Sequence, residues 1–328
     1  MLKLKYLIEN FDLAKNCIQH WEHDPETLTE TLGWFRISSN AVYPFHQKGR
    51  LCFLRLCPAE VKPLSEVESE IAVIHWLRDQ GFSAMAPVPM KNGKFCDRLD
   101  TPWGSYVASC FHQVDGLPLE DCPATPQLLE GYGRCLGQLH RMLEHCPCGH
   151  QRSGHEEWLA KAEQQFTACH APDSMKVCLQ DLRCQLAQLP RNSDNYSLIH
   201  YDFEPDNVFF HPQTGQFSVI DFDDMIHCWH GLDIVRALDG LDDLPQGDEP
   251  LSKHERERLF LTGYRSQHPF STTEEAALPL MRRLVQLTEY AGLLHVLSEE
   301  VSNPPEWMMQ LRCRLTGKLR WLENQLLG

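Results

Sequence analysis

One short stretch concentrates the side chains that chemistry would need. His200-Tyr201-Asp202-Phe203-Glu204-Pro205-Asp206-Asn207 is followed, beyond a hairpin-like segment, by Val219-Ile220-Asp221-Phe222-Asp223-Asp224. Phosphoryl transfer asks for a carboxylate that orients or deprotonates a hydroxyl, and for hard oxygen ligands that hold Mg²⁺ against phosphates. Asp202 and Asn207 stand at the two ends of one loop. Asp221 closes an apolar strand, so its side chain would enter a crevice with little freedom. Taken apart these are ordinary loop residues, with Asp206-Asn207 making an Asx turn. Taken together, three suitable group types in one compact block point to metal-assisted phosphoryl transfer. His200 reads as a scaffold residue bonding nearby backbone. Asp223 and Asp224 read either as support for the metal or as a solvated acidic face.

The elements that must position this block follow from turn signals and apolar spacing. Residues 1–25 read as a helix ending in the turn His23-Asp24-Pro25. Gly33–Ile37 and Ala41–Phe45 read as strands on either side of Ser38-Ser39-Asn40, and Leu51–Cys57 as a further strand after the turn 47–50. Ser65-Glu66-Val67-Glu68 has the form of a capping box, opening a helix through Arg78 that Gly81 ends. A second strand pair is expected from Ala86–Met90, the turn Asn92-Gly93 and Gly104–Phe111. From about residue 125 the apolar residues Leu128, Leu129, Tyr132, Leu136, Leu139 and Leu143 recur at helical intervals. The remainder is mostly helical, apart from the strand-and-loop block 198–224. The plan is α+β: a small antiparallel-sheet lobe, 1–112, followed by a larger mainly helical lobe, 113–328, with a crevice where Ser109–Asp115 crosses between them.

Composition narrows the partners. The chain has 328 residues and 45 Asp+Glu against 30 Lys+Arg, a formal charge of −15. Nucleic acids and anionic membranes both require clustered basic residues, so neither is an expected partner; a cationic ligand is mildly favoured. No apolar run reaches the roughly 18–20 residues that span a bilayer. The N-terminal residues lack the apolar region of a secretory signal, and the expected location is the cytoplasm. The fourteen cysteines are scattered without a Cys-x-x-Cys pair, which suits reduced thiols filling apolar gaps. The oligomeric state is left open by the sequence.

The spacing His-x-Asp-x-x-x-x-Asn matches the kinase catalytic loop, and Ile220-Asp221-Phe222 resembles its metal-binding segment. More widely, the chain resembles the aminoglycoside phosphotransferase/choline kinase-like family, small-molecule kinases with the protein-kinase plan. Leu54-Arg55-Leu56 resembles the nucleotide-lobe strand, Tyr106 through Leu119 the hinge, Leu136–His140 the helix beneath the catalytic loop, and Gly231–Val235 the acidic segment after the metal strand. The resemblance spans roughly residues 30–240. It implies an ATP- or GTP-dependent kinase acting on an alcohol group of a small molecule, such as an aminoglycoside, amino alcohol or sugar-like compound. Asp202 would be the catalytic base or hydroxyl-orienting group, and Asn207 and Asp221 would hold Mg²⁺. Ser38, Ser39, Arg55, Glu70, Ser109 and Phe111 are the nucleotide-side candidates. Arg55 needs a carboxylate partner, and Glu70, lying between Ile74 and Leu77 in helical projection, is preferred to Glu66. The acceptor side falls to the later helices, where Trp229, His230, Asp239, Glu289 and Tyr290 are candidates.

Three departures from the family pattern stand out. The loop Ser38-Ser39-Asn40 contains no glycine, Tyr201 stands where many members have glycine, and Arg55 replaces lysine. The absent glycine and Tyr201 support an alternative, a nucleotide-binding pseudokinase with a regulatory or scaffolding role. A metal-dependent phosphoesterase using Asp202 and Asp221 is a third reading. A protein kinase is disfavoured because no Ala-Pro-Glu segment follows Asp221.

Overall fold

A computed structural model describes residues 10–38, 40–148, 152–247, 249–298 and 304–328. The N-terminal part opens with α1 (Phe11–Ile18) and the one-turn α2 (Leu28–Thr31), then forms β1 (Arg36–Ile37), β2 (Ala41–Gln47) and β3 (Arg50–Pro58). After α3 (Leu64–Asp79) come β4 (Cys96–Thr101) and β5 (Gly104–His112), giving an antiparallel sheet in the order β1-β2-β3-β5-β4. The β2–β3 turn is made by Lys48 and Gly49, both with positive φ, whose twist suits a two-residue hairpin. Asp24 secures it by accepting from both of their backbone amides, at 2.9 and 2.7 Å.

Next come β6 (Leu117–Pro118), α4 (Pro126–Leu143), α5 (His155–Ala168), α6 (Asp173–Leu186) and β7 (Tyr196–Ile199). The chain then forms the hairpin β8 (Val208–His211) and β9 (Gln216–Val219), and β10 (Ile226–Trp229), which pairs with β7. It finishes with α7 (Gly231–Gly240), α8 (Lys253–Arg265), α9 (Thr272–Ala276), α10 (Leu278–Leu297) and α11 (Glu306–Leu327). The α+β plan expected from the sequence, sheet first and helices after, is the one observed. Among the described residues no helix is long and apolar enough to cross a membrane, and no disulfide joins any of the fourteen cysteines, most of which are buried.

The apolar residues form two cores. One side of the sheet buries Tyr43, Phe45, Leu54 and Leu56 against Leu13, Ile18 and Trp21. Val67, Ile71, Ile74 and Leu77 of α3 belong instead to the large core shared with the C-terminal helices. Backbone bonds join the two parts there: Val219 donates to the Ser83 carbonyl at 2.9 Å and Met85 to the Val219 carbonyl at 3.0 Å. Helices α4 and α8 touch backbone to backbone. A Cβ on Gly133 would collide with the Phe260 carbonyl, and one on Gly263 with the Glu130 carbonyl.

Several sequence expectations need correction. Helix α3 begins at Leu64 behind Pro63, whose extended backbone serves as N-cap without a side-chain bond, so Ser65 lies inside the first turn and makes no capping box. Strand β5 pairs with Cys96–Thr101 rather than with Ala86–Met90. Pro87 and Pro89 lack the amides a ladder needs, and this segment contributes only isolated bonds, such as Val88 N–H to the Cys110 carbonyl at 2.8 Å. The expected strand Gly33–Ile37 shrinks to Arg36–Ile37 because Leu32–Trp34 form a tight turn of helix. The N-terminal helix occupies Phe11–Ile18, and residues 1–9 lie outside those described. Strand β10 was not anticipated.

Candidate active site

The catalytic-loop candidates are held from behind by one carboxylate. Asp233, fully buried in α7, accepts the backbone amides of His200 at 2.9 Å and Tyr201 at 2.7 Å, and also bonds His140 Nε2 at 3.0 Å. Burial pushes its carboxyl up to about 6 against the pull of these donors. His200 Nε2 lies 2.9 Å from the Ile220 carbonyl, so this side chain ties the loop to the chain leaving β9. From below, Tyr132 of α4 donates its hydroxyl to the Phe203 carbonyl at 2.8 Å and stacks on the Phe203 ring.

Between these supports Asp202 presents a side chain one-third exposed. Asn207 fixes its orientation: the amide Nδ2 donates to Asp202 Oδ2 and to the Asp202 carbonyl, both at 3.0 Å. Ile220 N–H, bonded to the Asn207 carbonyl at 3.0 Å, sets the next residue, Asp221, close to the loop. Asp221 is left-handed, with φ 58° and ψ 59°, a conformation aspartate tolerates better than most residues. Its side chain is 46% exposed, with Arg55 3.8 Å away. Burial and the adjacent Asp223 carboxylate push Asp221 upward, with Arg55 opposing. Asn207 thus meets Asp202 directly and Asp221 stands beside their loop, and the side-chain oxygens of the three are a donor set that fits Mg²⁺.

The other bank is a buried charge network. Arg55 on β3 makes a bidentate pair with Glu70 of α3, one bond measuring 2.9 Å, and packs its guanidinium 4.9 Å above the Phe111 ring. Glu70 is buried whereas Glu68 on the same helix is exposed. Asp223 is buried, excluding a solvated acidic face there; only Asp224 is largely exposed. Asp223 accepts from Lys62 Nζ at 2.5 Å and Asn40 Nδ2 at 2.9 Å, with Arg55 3.6 Å away. Despite burial, Arg55 and Lys62 hold its carboxyl below the usual range. Arg152 adds bonds to the carbonyls of Asp223, Met225 and Glu66, linking this turn to the start of α3.

Of the remaining nucleotide-side candidates, Ser109 is buried in β5 opposite Arg55, Phe111 supports the Arg55 guanidinium, and Ser38 lies in the turn before β2 with its amide on the Asn40 carbonyl. Ser39 lies outside the described residues. The acceptor candidates are dispersed. Trp229 donates its indole N–H to the Pro190 carbonyl, Tyr290 is buried against Phe166, and Asp239 is paired bidentately with Arg282. Glu289 is paired with Lys318, and His230 is buried in a histidine cluster.

Tyr201 and Arg236 lie beside Asp202 instead. Tyr201 has φ +73°, a left-handed conformation that glycine adopts freely and that accounts for the glycine often found here in the resembling family. Its hydroxyl meets Thr288 Oγ1 at 3.1 Å, and its ring carries the Arg236 guanidinium at 4.9 Å. Arg236 bonds Glu204 at 2.6 Å and lies 3.9 Å from Asp202. Sequence reading missed Arg236, Lys62, Asn40 and Arg152 as functional residues. Arg236 did leave a signal, a lone charge within the apolar run Ile234-Val235-Arg236-Ala237-Leu238.

Comparison with known proteins gives a consistent family. A sequence model of the phosphotransferase enzyme family matches residues 37–270. The amicoumacin kinase of Bacillus subtilis (strain 168) is 26% identical over 231 residues, covering 68% of each chain. Among solved structures, an amicoumacin kinase in complex with AMP-PNP, Ca²⁺ and Ami superposes with a TM-score of 0.74 at 20% identity, covering 96% of this chain and 94% of that one. A microcompartment-associated aminopropanol kinase follows at 0.67 and 21%, covering 97% and 98%. At these identities the structural likeness is one of fold.

Proposed function

The chain belongs to the phosphotransferase enzyme family, and within it we propose a Mg²⁺-dependent kinase that moves the γ-phosphoryl group of ATP or GTP onto a hydroxyl of a small, amine-bearing molecule. The single observation carrying this reading is the grouping of Asp202, its bonded partner Asn207 and the adjoining Asp221 beside the buried Arg55–Glu70 pair. Asp202 orients the acceptor hydroxyl and takes its proton, being the partly exposed carboxylate whose direction Asn207 fixes. Asn207 and Asp221 hold the metal, which when bound neutralises charge on the phosphate oxygens. Arg55, pinned by Glu70, holds a fixed positive charge 3.8 Å from Asp221, and Ser38 is the remaining described candidate for the phosphate side.

An amine on the acceptor is supported by the carboxylates around Asp202. Glu204 and Asp206 both lie in its loop, and Asp202 raises both of their carboxyls, after burial. Glu289 is close enough to act electrostatically on Arg236. The names of the relatives agree in kind, since aminopropanol is an amino alcohol.

ADP release with Mg-ATP or Mg-GTP and a panel of amino alcohols, aminoglycosides and sugars tests the proposal. At least one acceptor should stimulate turnover, and Asp202→Asn should lower that rate by about 10³-fold, within the usual range for a general base. Nucleotide binding without any acceptor-dependent turnover above the Asp202→Asn background would favour the pseudokinase.

A further inference from the structure

Behind Asp233, away from the cleft, several histidines meet in a buried cluster that the reaction does not use. His140 from α4, His230 just before α7 and His268 just after α8 are each at most 3% exposed. The His140 and His230 rings stack at 4.4 Å, and the His268 ring stands 4.8 Å from His230. Glu144, following α4, brings a carboxylate into the group, 11% exposed.

The proton positions follow from the neighbours. His268 Nδ1 is 2.8 Å from the Pro269 carbonyl, which can only accept, so Nδ1 carries a proton. A neutral His268 then points the Nε2 lone pair at Glu144 Oε1, 2.5 Å away. An imidazole lone pair and a carboxylate oxygen repel at that distance unless a proton joins them. Two ligands of one tetrahedral zinc ion stand about 3.3 Å apart, so a metal taking the proton's place would open the pair by under about 1 Å.

The third group distinguishes the two. Ser197 gives its hydroxyl proton to the Leu198 carbonyl at 3.1 Å and can therefore accept from His230 Nε2 at 2.8 Å. The other ring nitrogen, Nδ1, is left as a lone pair. It is buried and has no hydrogen-bond partner. One ligand atom each from Glu144, His230 and His268 lies within 4.8 Å of the others, the one such trio found among the described residues.

We propose that Glu144, His230 and His268 form a zinc site, with a water molecule as fourth ligand. Two imidazole nitrogens and a carboxylate oxygen are a donor set that zinc accepts readily and magnesium does not favour. Both imidazoles have the outer contact that ligating histidines typically show, His268 to a carbonyl and His230 to a hydroxyl. The ion would fasten the ends of α4 and α8 to the start of α7. Asp233, two residues into α7, carries the backbone of the catalytic loop. The role is structural: no ligand lies in the reaction opening.

Metal analysis of the purified full-length chain, dialysed without chelator in the presence of a non-thiol reductant, tests the site. About one zinc per chain is expected. Stripping with a chelator should lower the melting temperature by several degrees, and zinc should restore it. Cobalt substitution should give the visible absorption of a tetrahedral ion without a thiolate charge-transfer band, which separates this site from the cysteines. Glu144→Gln keeps a hydrogen-bonding group beside His268 but is a poor ligand, so it should lose the metal while staying folded; His230→Ala should lose it too. Absence of zinc, with no thermal response to zinc or chelator, overturns the proposal and leaves an imidazolium–carboxylate pair beside a solvated His230. Full stoichiometry retained in both variants overturns it as well, by placing the ion elsewhere.

Discussion

Asp223 and Glu204 are carboxylates on opposite banks of one cleft, and their surroundings are reversed. Asp223 is 6% exposed and faces Lys62, Asn40 and Arg55. Glu204 is 38% exposed and shares Arg236 with Asp202, while Asp206 adds further negative charge opposed by the exposed Arg36 3.9 Å away. The first bank has the cations to fix its acids in place. The second has fewer cations than acids, so an incoming protonated amine would relieve repulsion already present. The contrast separates the part of the site that holds shape from the part that recognises.

The largest test of this contrast is removal of each acid. Asp223→Ala leaves Lys62 and Arg55 buried without their shared partner and should cost about 3–5 kcal/mol in denaturant unfolding, the range for breaking a buried ion pair. Glu204→Gln, on the exposed bank, should cost no more than about 1 kcal/mol. Equal losses would mean that the two banks do not differ as described. A smaller effect is expected at Tyr201. Tyr201→Phe keeps the ring under Arg236 and removes the bond to Thr288, which should cost about 1 kcal/mol. A loss several times larger would move Tyr201 to the rigid bank.

Titration sharpens the comparison without altering the chain. Glu204 and Asp206 are raised above their ordinary values and Asp223 is lowered. On acidification, carboxyl carbon-13 resonances should therefore show Glu204 and Asp206 taking protons first and Asp223 last. The linked stabilities have opposite signs. Asp223 contributes stability that is present above the ordinary carboxylate value and is lost only as pH falls through its lowered one. The raised pair binds more protons folded than unfolded, so its contribution weakens as pH rises through the raised values.

How much was legible depends on whether the information is local. Asp202, Asn207 and Asp221 could be read because their chemistry is set out at short intervals, and Glu70 because helical geometry alone selects it over Glu68. Asn40 and Lys62 reach Asp223 across 183 and 161 residues, and no local pattern marks such pairs. The order of sheet and helices was legible from spacing and turn residues. Strand pairing was not, because the two prolines that disqualify Ala86–Met90 compete with the attractive turn signal Asn92-Gly93. The acceptor candidates came out dispersed for a related reason: a polar residue on a helix after the metal strand does not reveal which neighbour will already have claimed it, as Arg282 claims Asp239.

The seam between α4 and α8 bears on how this enzyme can diversify. At Gly133 and Gly263 the helices meet without room for a methyl group, and Tyr132, next along α4, holds the floor of the catalytic loop. Substitution there pries apart two backbones and shifts the loop with them. Thr288 on α10, by contrast, meets Tyr201 by a side-chain bond, and Glu289 acts on Arg236 electrostatically. A mutational library aimed at new acceptors would therefore survive best on α10 and worst along the glycine seam, which makes the seam the fixed keel around which specificity drifts.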